Sequence, residues 1–135
     1  MSIHPYLFFS NDCREAFEFY QRVLGGELTV SAFSDVPEEA RMPGVDPNLI
    51  MHVSLTIGDA ILMGSDDPSG DGGPKTGYAV AYVADNYAEG ERILEALADG
   101  GELTLPFSET FWSKGFGMCT DRFGISWMVE TTDAP

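Results

Sequence analysis

The order of apolar and polar positions divides the first half of the chain into one strand, one helix and three further strands. Residues 3–9 form a short apolar run with aromatics, typical of a buried strand. Over residues 13–24, apolar side chains recur at i, i+3, i+4, i+7 and i+11, which is one face of a helix. Period-two patterning then predicts strands over 27–34, 50–57 and 60–64. The sequence therefore predicts a βαβββ unit.

The second half of the chain repeats this order. The segment Gly25-Gly26-Glu27-Leu28-Thr29 recurs as Gly100-Gly101-Glu102-Leu103-Thr104, and each copy directly follows a predicted helix. Matching letters at matching places in the same element order indicate a duplicated module. The second module is predicted to contain strands at 77–83, 102–107, 111–120 and 125–131, with a helix at 87–99.

A segment rich in Gly, Pro, Asp and Ser separates the two modules. We predict a single domain over 1–135, made of a first module at 1–66, a linker at 67–76 and a second module at 77–135. One module alone would bury too little surface to be stable. The predicted fold class is α+β, with two βαβββ modules whose curved mixed sheets bound a cleft and whose helices lie on the outside.

Local signals mark the ends of the predicted elements. Asp12 and Glu15 have the spacing of a capping box, and Asp85-Asn86 can cap the second helix. The Gly-Gly pair after each helix ends it, since glycine takes the left-handed conformation without penalty. Pro106 indicates a strand at a sheet edge or a strand end, because it has no N–H to donate.

Charge and cysteine content narrow the possible functions. Seven Lys and Arg stand against 22 Asp and Glu, and the net charge of −15 disfavours binding to nucleic acid or to anionic membranes. No apolar run approaches the roughly 18 residues of a membrane span, and the N-terminus has no signal-peptide pattern, so we expect a cytoplasmic protein. Cys13 and Cys119 form neither a zinc pattern nor a disulfide framework and are predicted to be small buried side chains.

Several motifs resemble the PhnB-like branch of the glyoxalase/bleomycin-resistance/dioxygenase superfamily, also called the vicinal oxygen chelate superfamily. The similarity covers essentially the whole chain, and its most specific part is the closing stretch. It is carried by Pro5-Tyr6-Leu7-Phe8-Phe9, Ala16-Phe17-Glu18-Phe19-Tyr20, Met51-His52-Val53-Ser54-Leu55, Leu62-Met63-Gly64-Ser65-Asp66, Phe107-Ser108-Glu109-Thr110-Phe111-Trp112, Gly115-Phe116-Gly117 and Asp121-Arg122-Phe123-Gly124-Ile125-Ser126-Trp127. The resemblance implies a homodimer with a small-molecule ligand.

The resemblance also implies a divalent metal, held in the cleft by His, Glu or Gln side chains and acting as a Lewis acid. The four ligand positions of the superfamily fall on Pro5, on Met63 or Gly64, on Tyr78 and on Met128. None of these is a good ligand for a hard divalent ion. We therefore expect no metal and no cofactor. The alternative is a metal-dependent site with an atypical ligand set around His52 and Glu130.

Nine side chains are predicted to line the ligand pocket. His52 could act as an acid or base, or could simply be hydrogen-bonded to a cross-strand hydroxyl. Glu130 could be a base or ligand, or could be solvated near a strand end. The full set is His52, Ser54, Tyr78, Tyr82, Trp112, Phe116, Ser126, Met128 and Glu130.

The aromatic members of this set also have two interpretations. Trp112 and Phe116 could form an aromatic wall for an apolar ligand, or could pack between the modules or at a dimer interface. Tyr78 and Tyr82 could line the pocket or belong to the core. Trp127 has the opposite parity to Met128 and is expected to pack under a helix.

Three functions remain open at this point. The first is a metal-free protein that binds a small organic molecule. The second is a metal-dependent lyase, isomerase or dioxygenase. The third is an interaction or regulatory role without a ligand. Serine-nucleophile and P-loop chemistry are excluded, because the chain has neither G-x-S-x-G nor a Gly-rich loop ending in Gly-Lys-Ser/Thr.

Overall fold

The computed structural model describes residues 2–40, 44–68 and 75–133. The chain forms two compact units, residues 1–73 and residues 74–135. Most of the predicted linker, residues 69–74, lies outside the described residues.

The first unit is a four-stranded mixed sheet with one helix. It contains β1 (Tyr6–Phe9), α1 (Cys13–Leu24), β2 (Glu27–Ala32), β3 (Ile50–Ile57) and β4 (Ala60–Asp66). The strand order is β1-β4-β3-β2. The pair β1 and β4 is parallel, and the other neighbours are antiparallel. Two short 3-10 turns, Phe33–Asp35 and Glu38–Ala40, lie between β2 and β3.

The second unit has the same architecture. It contains β5 (Val80–Val83), α2 (Tyr87–Ala98), β6 (Glu102–Ser108), β7 (Gly115–Thr120) and β8 (Ser126–Thr131). Its strand order is β5-β8-β7-β6, and β5 and β8 are parallel. The α+β class and the two βαβββ modules are therefore confirmed. The strand predicted over 111–120 begins only at Gly115, because the preceding residues form a loop.

The helix of each unit buries its apolar stripe. Phe17 and Tyr20 of α1 are fully buried, as are Leu94 and Leu97 of α2. Trp127 is 1% exposed, as expected for a side chain packed under a helix. Burying such large side chains contributes on the order of 2 kcal/mol each, so these stripes account for much of the stability of each unit.

The predicted alternation in β3 is correct except at its start. Val53 and Leu55 are buried as expected, but Met51 is exposed and Ile50 is buried in its place. The pairing of β2 with β3 shifts between Ser31 and Ala32, so that Ala32 pairs with Ile50 rather than with Met51. A bulge of this kind reverses the side-chain parity beyond it.

The two helices begin differently. Asp12 precedes α1, but its side chain makes no cap hydrogen bond, so the predicted capping box is wrong. Its ψ of 16° is far from the extended conformation that directs a cap side chain onto the helix. The buried carboxylate of Asp66 instead accepts a hydrogen bond from Cys13 N at 3.1 Å and another from Ile50 N at 2.9 Å. Asn86 caps α2 as predicted, accepting from Glu89 N at 2.8 Å.

A second buried carboxylate holds the turn between β7 and β8. Asp121 accepts hydrogen bonds from Phe123 N at 2.9 Å, from Ile125 N at 3.0 Å and from the indole Nε1 of Trp127 at 2.9 Å. Each of these bonds satisfies a donor that burial would otherwise leave unpaired. The turn and the packing of the Trp127 ring are thereby tied to one side chain.

Other features agree with the sequence prediction. Pro106 lies in β6, which is the outer strand of its sheet and pairs with β7 through two irregularities in register. Cys13 and Cys119 are free and buried. Among the described residues, no helix is long and apolar enough to cross a membrane.

Candidate ligand pocket in the second unit

One face of the second sheet brings together four of the predicted pocket residues. Along β8, Trp127 and Val129 are buried, while the side chains between them are only partly covered. The register pairs Phe116 with Glu130, Met118 with Met128, and Thr120 with Ser126. Residues paired across antiparallel strands point to the same side. This face therefore carries Phe116, Ser126, Met128 and Glu130.

Of the two predicted tyrosines, Tyr82 does not join this face. Tyr82 pairs with Val129, which belongs to the buried row, so Tyr82 lies on the helix side of the sheet. Burial and the nearby carboxylates of Asp85 and Glu89 raise its pKa. Tyr78 precedes β5, and burial followed by the negative charge of Asp121 raises its pKa. Of the two interpretations that the sequence leaves open for Tyr82, pocket or core, the register supports the core.

A cavity of about 600 Å³ opens where the parallel strands β5 and β8 end. The loop between β6 and β7 forms its other wall. Its lining residues are Val83, Glu109, Thr110, Phe111, Trp112, Ser113, Lys114, Glu130, Thr131 and Thr132. We call this cavity the strand-end pocket. Two of the nine predicted residues, Trp112 and Glu130, line it, and Phe116 contacts the ring of Trp112.

Hydroxyl groups hold the loop that carries Trp112. Thr110 N donates to Ser113 O at 2.9 Å, and Ser113 N donates to Thr110 Oγ1 at 3.1 Å. The Ser113 hydroxyl donates to Gly115 O at 2.7 Å and lies 3.2 Å from Thr131 O on β8. The loop is therefore closed on itself and bonded to the start of β7, which positions the backbone of Trp112 before any ligand arrives.

Two exposed aromatic rings form the apolar part of the pocket. Trp112 is 57% exposed and Phe111 is 96% exposed. The rings of Phe111 and Trp112 meet edge to face with centroids 4.7 Å apart, and Trp112 meets Phe116 in the same way at 5.5 Å. Edge-to-face contacts of this length are favourable. The buried Phe116 is the partner that fixes one edge of the indole, whereas Phe111 is itself almost fully exposed.

Three charged side chains supply the polar part of the pocket. Glu109 and Lys114 are exposed, and Glu130 is half-buried. Among the described residues, none of the three forms a salt bridge. Their charges are therefore available to a ligand.

The sequence did not single out Glu109, Phe111 and Lys114 as pocket residues. The sequence pattern predicts one continuous strand over 111–120, which would have pointed Phe111 away from Trp112. The same pattern puts Lys114 on the side of Trp112, and Glu109 lies before the predicted strand. The signal that could have revealed the loop was Thr110 with Ser113, since Ser and Thr side chains bond to nearby backbone and favour turns.

His52 and Ser54 lie on β3 in the first unit. His52 Nδ1 is 3.3 Å from the hydroxyl of Tyr6 on β1, and the two ring centroids are 5.7 Å apart. The expected cross-strand hydroxyl partner of His52 is thus present, and it is a residue that the sequence had not marked. Tyr6 was missed because the order β1-β4-β3 follows only from the parallel pairing of β1 with β4.

The side chains at the superfamily's metal positions do not fit a hard divalent ion. Pro5 offers only a carbonyl oxygen, and that oxygen already accepts from Met63 N at 3.1 Å. Met63 and Met128 offer thioether sulfur, which suits soft ions such as Cu(I). Within the described ranges, no group of three or more His, Cys, Asp or Glu side chains is placed to hold a metal.

Comparison with known proteins agrees with this fold. The model of the glyoxalase/bleomycin resistance protein/dioxygenase superfamily matches residues 2–129, and the chain belongs to this superfamily. Protein YjdN of Escherichia coli K12 is 33% identical over 96% of this chain and 95% of its own length. This relative and the PhnB structure described below support the PhnB-like branch.

Two solved structures extend the comparison. Protein PA1353 from Pseudomonas aeruginosa is 41% identical, with a TM-score of 0.89 and 98% of both chains covered. A PhnB protein from Bacillus cereus has a TM-score of 0.78 at 21% identity, covering 97% of this chain and 99% of its own. At that lower identity, the second similarity concerns the fold.

Proposed function

We propose that this protein binds a small organic molecule in the strand-end pocket and does so without the divalent metal usual in its superfamily. The observation that carries the proposal is the pocket itself. Its volume lies in the range of roughly 300–1,000 Å³ that is common for small-molecule sites.

The composition of the pocket supports binding. Aromatic side chains provide most of the apolar contact in ligand sites, and a few polar groups fix the orientation of the ligand. Trp112 provides apolar contact, and Glu130 and Lys114 provide polar groups. Because hydrogen bonds of Thr110 and Ser113 already hold the backbone of the loop, little backbone entropy is lost when a ligand binds.

The donor set supports the metal-free part of the proposal. The superfamily's ligand positions carry Pro5, Met63 or Gly64, Tyr78 and Met128. The one histidine predicted to take part, His52, contacts the hydroxyl of Tyr6. A metal-dependent mechanism would need carboxylate or imidazole ligands that these positions do not supply.

Intrinsic fluorescence provides the test, because the chain has two tryptophans in opposite environments. Trp112 is exposed in the pocket, and Trp127 is buried. A panel of neutral, acidic and basic aromatic compounds is titrated into metal-free protein. We expect saturable quenching in the wild type that disappears in Trp112→Phe. By calorimetry, Trp112→Ala should weaken binding by about fivefold, since a lost aromatic contact is worth about 1 kcal/mol.

Two results would count against this function. One is quenching that persists unchanged in Trp112→Phe, which would place the ligand elsewhere. The other is binding or turnover that needs a stoichiometric metal, shown by elemental analysis of the purified protein and by loss on treatment with a chelator.

We also propose that the protein is a homodimer, since members of the superfamily are commonly dimeric. Sedimentation velocity at several protein concentrations would test it. A single species with the mass of one chain at every concentration would contradict the proposal.

A further inference from the structure

We propose that the ligand of the strand-end pocket is an organic cation, in which a protonated amine is joined to a flat apolar group. The inference rests on the proposed function and adds the chemical class of the ligand. It is drawn from the charges, the aromatic surface and the overall charge of the chain.

The charges in the pocket favour a cation. Glu109 and Glu130 each carry a carboxylate, and neither forms a salt bridge among the described residues. Lys114 is the one basic side chain in the lining, and it is exposed. The sum of the charges in the lining is therefore negative.

Glu130 is the better placed of the two carboxylates. It is half-buried at the end of β8, where it pairs with the buried Phe116 on one side and with Val83 on the other. Phe116 is buried and covers one side of this side chain, whereas Val83 is 61% exposed. A cation that reaches Glu130 therefore forms a partly exposed ion pair. An ammonium group bound at Glu130 would take the place of the water that the ligand displaces from this carboxylate.

Trp112 provides the surface for the flat group. Indole is the aromatic side chain that attracts cations most strongly, through the negative face of its ring. The ring contacts the buried Phe116 edge to face, and Trp112 is 57% exposed. A ligand that combines a cation with a flat apolar group can contact both Trp112 and Glu130 in one pocket.

The net charge of the whole chain also favours a cationic ligand. A net charge of −15 over 135 residues raises the local concentration of cations near the surface and speeds their association. The same field repels anions. An acidic ligand would have to overcome this field with Lys114 as the one basic side chain in the lining.

Three probes of matched shape isolate the charge of the ligand. They are 2-phenylethylamine, 2-phenylethanol and 3-phenylpropionate, which share a phenyl ring on a short chain and differ in charge. We expect the amine to bind about fivefold more tightly than the alcohol, with the acid weakest, as expected for one partly exposed ion pair. The preference for the amine should shrink as sodium chloride is raised, because salt screens exposed charges.

Single substitutions identify the residues responsible. Glu130→Gln should lower the affinity for the amine to that for the alcohol and leave the alcohol unchanged. Glu95→Gln is the matched control, because Glu95 is exposed on α2 and outside the pocket, and it changes the net charge by the same amount. Lys114→Gln should strengthen amine binding by about threefold, since it removes a like charge from the pocket.

The outcomes separate the two proposals. Equal or tighter binding of the alcohol or the acid would overturn the cation proposal and leave the proposed function standing. So would an equal effect of Glu95→Gln and Glu130→Gln. If neither these probes nor the aromatic panel binds, the proposed function is contradicted and the cation proposal with it.

Discussion

At the scale of single residues, two buried aspartates accept hydrogen bonds that sequence reasoning did not predict for them. Asp66 accepts the first N–H of α1 although it lies 53 residues further along the chain. Asp121 joins a turn to the indole of Trp127. Sequence reasoning finds local caps such as Asn86 because donor and acceptor are three residues apart. It misses Asp66 because that contact exists only after β4 has paired with β1.

The buried thiol of Cys119 gives a prediction about pH. Burial, and next the negative charge of Asp121, raise its pKa from 9.0 to about 12. Between pH 9 and pH 12, the thiol is therefore protonated in the folded state and ionised in the unfolded chain. This contribution to stability is complete below pH 9 and is lost as the pH rises toward 12. Between pH 9 and 11, the free energy of unfolding of the wild type should fall by about 2 kcal/mol more than that of Cys119→Ala.

Urea denaturation at closely spaced pH values measures this difference. The cavity left in Cys119→Ala lowers stability by the same amount at every pH. The ionisation of the thiol is therefore seen only in how the difference in unfolding free energy between the two proteins changes with pH. If the curves of the two proteins stay parallel from pH 9 to pH 11, the thiol ionises equally in both states and the prediction is wrong.

At the scale of elements, most helices and strands could be predicted from periodicity, and the departures have local causes. The bulge at Ala32 changed the parity at Met51, which alternation alone cannot show. The loop before β7 was taken for strand because its aromatic residues favour strands. That loop carries Trp112, which the sequence marked as a pocket residue, and Phe111 and Lys114, which it did not mark.

The contact between α2 and β6 leads to a prediction about a glycine. An alanine at an exposed helical glycine usually stabilises by about 1 kcal/mol. Gly90 is buried, however, and a Cβ there would lie 2.6 Å from Cζ of Phe107. Gly90→Ala should therefore lower the free energy of unfolding by about 1–2 kcal/mol, as overpacking does.

A double-mutant cycle checks the cause. In a Phe107→Leu background the ring is gone, and the cost of Gly90→Ala should fall to less than half. Chemical denaturation of the four proteins supplies the numbers. An unchanged cost in the Phe107→Leu background would mean that the backbone of α2, and not the ring, is responsible.

At the scale of the whole molecule, the duplication was the most secure prediction. The repeated Gly-Gly-Glu-Leu-Thr segment and the matching order of elements indicated two modules, and the two sheets have the same strand order. Topology could be predicted because it depends on many residues at once. Which side chains meet in a pocket depends on a few loop residues, so the site could be predicted only in part.

The excess of acidic residues gives a prediction for the whole chain. Like charges repel more strongly in the compact state than in the unfolded chain, and salt screens this repulsion. With a net charge of −15, raising sodium chloride from 10 mM to 300 mM should increase the melting temperature by about 5 °C, which corresponds to roughly 1 kcal/mol. Scanning calorimetry measures the change.

Caesium chloride serves as the control for this experiment. Its large cation screens charge but coordinates carboxylates poorly, so an equal increase in melting temperature would identify screening as the cause. An increase with sodium alone would instead indicate specific ion binding. A melting temperature that falls with both salts would contradict the prediction.

Pro106 and the irregular register of β6 also help the protein to avoid self-association through this strand. Leu103 and Leu105 are exposed on an outer strand, and such strands can template amyloid-like stacking of identical chains. Pro106 interrupts the row of donors that an incoming strand would need. The two irregularities in register have the same effect, because they bend the strand away from a regular ladder. β6 can therefore carry apolar side chains at the surface and still be a poor seed for fibrils.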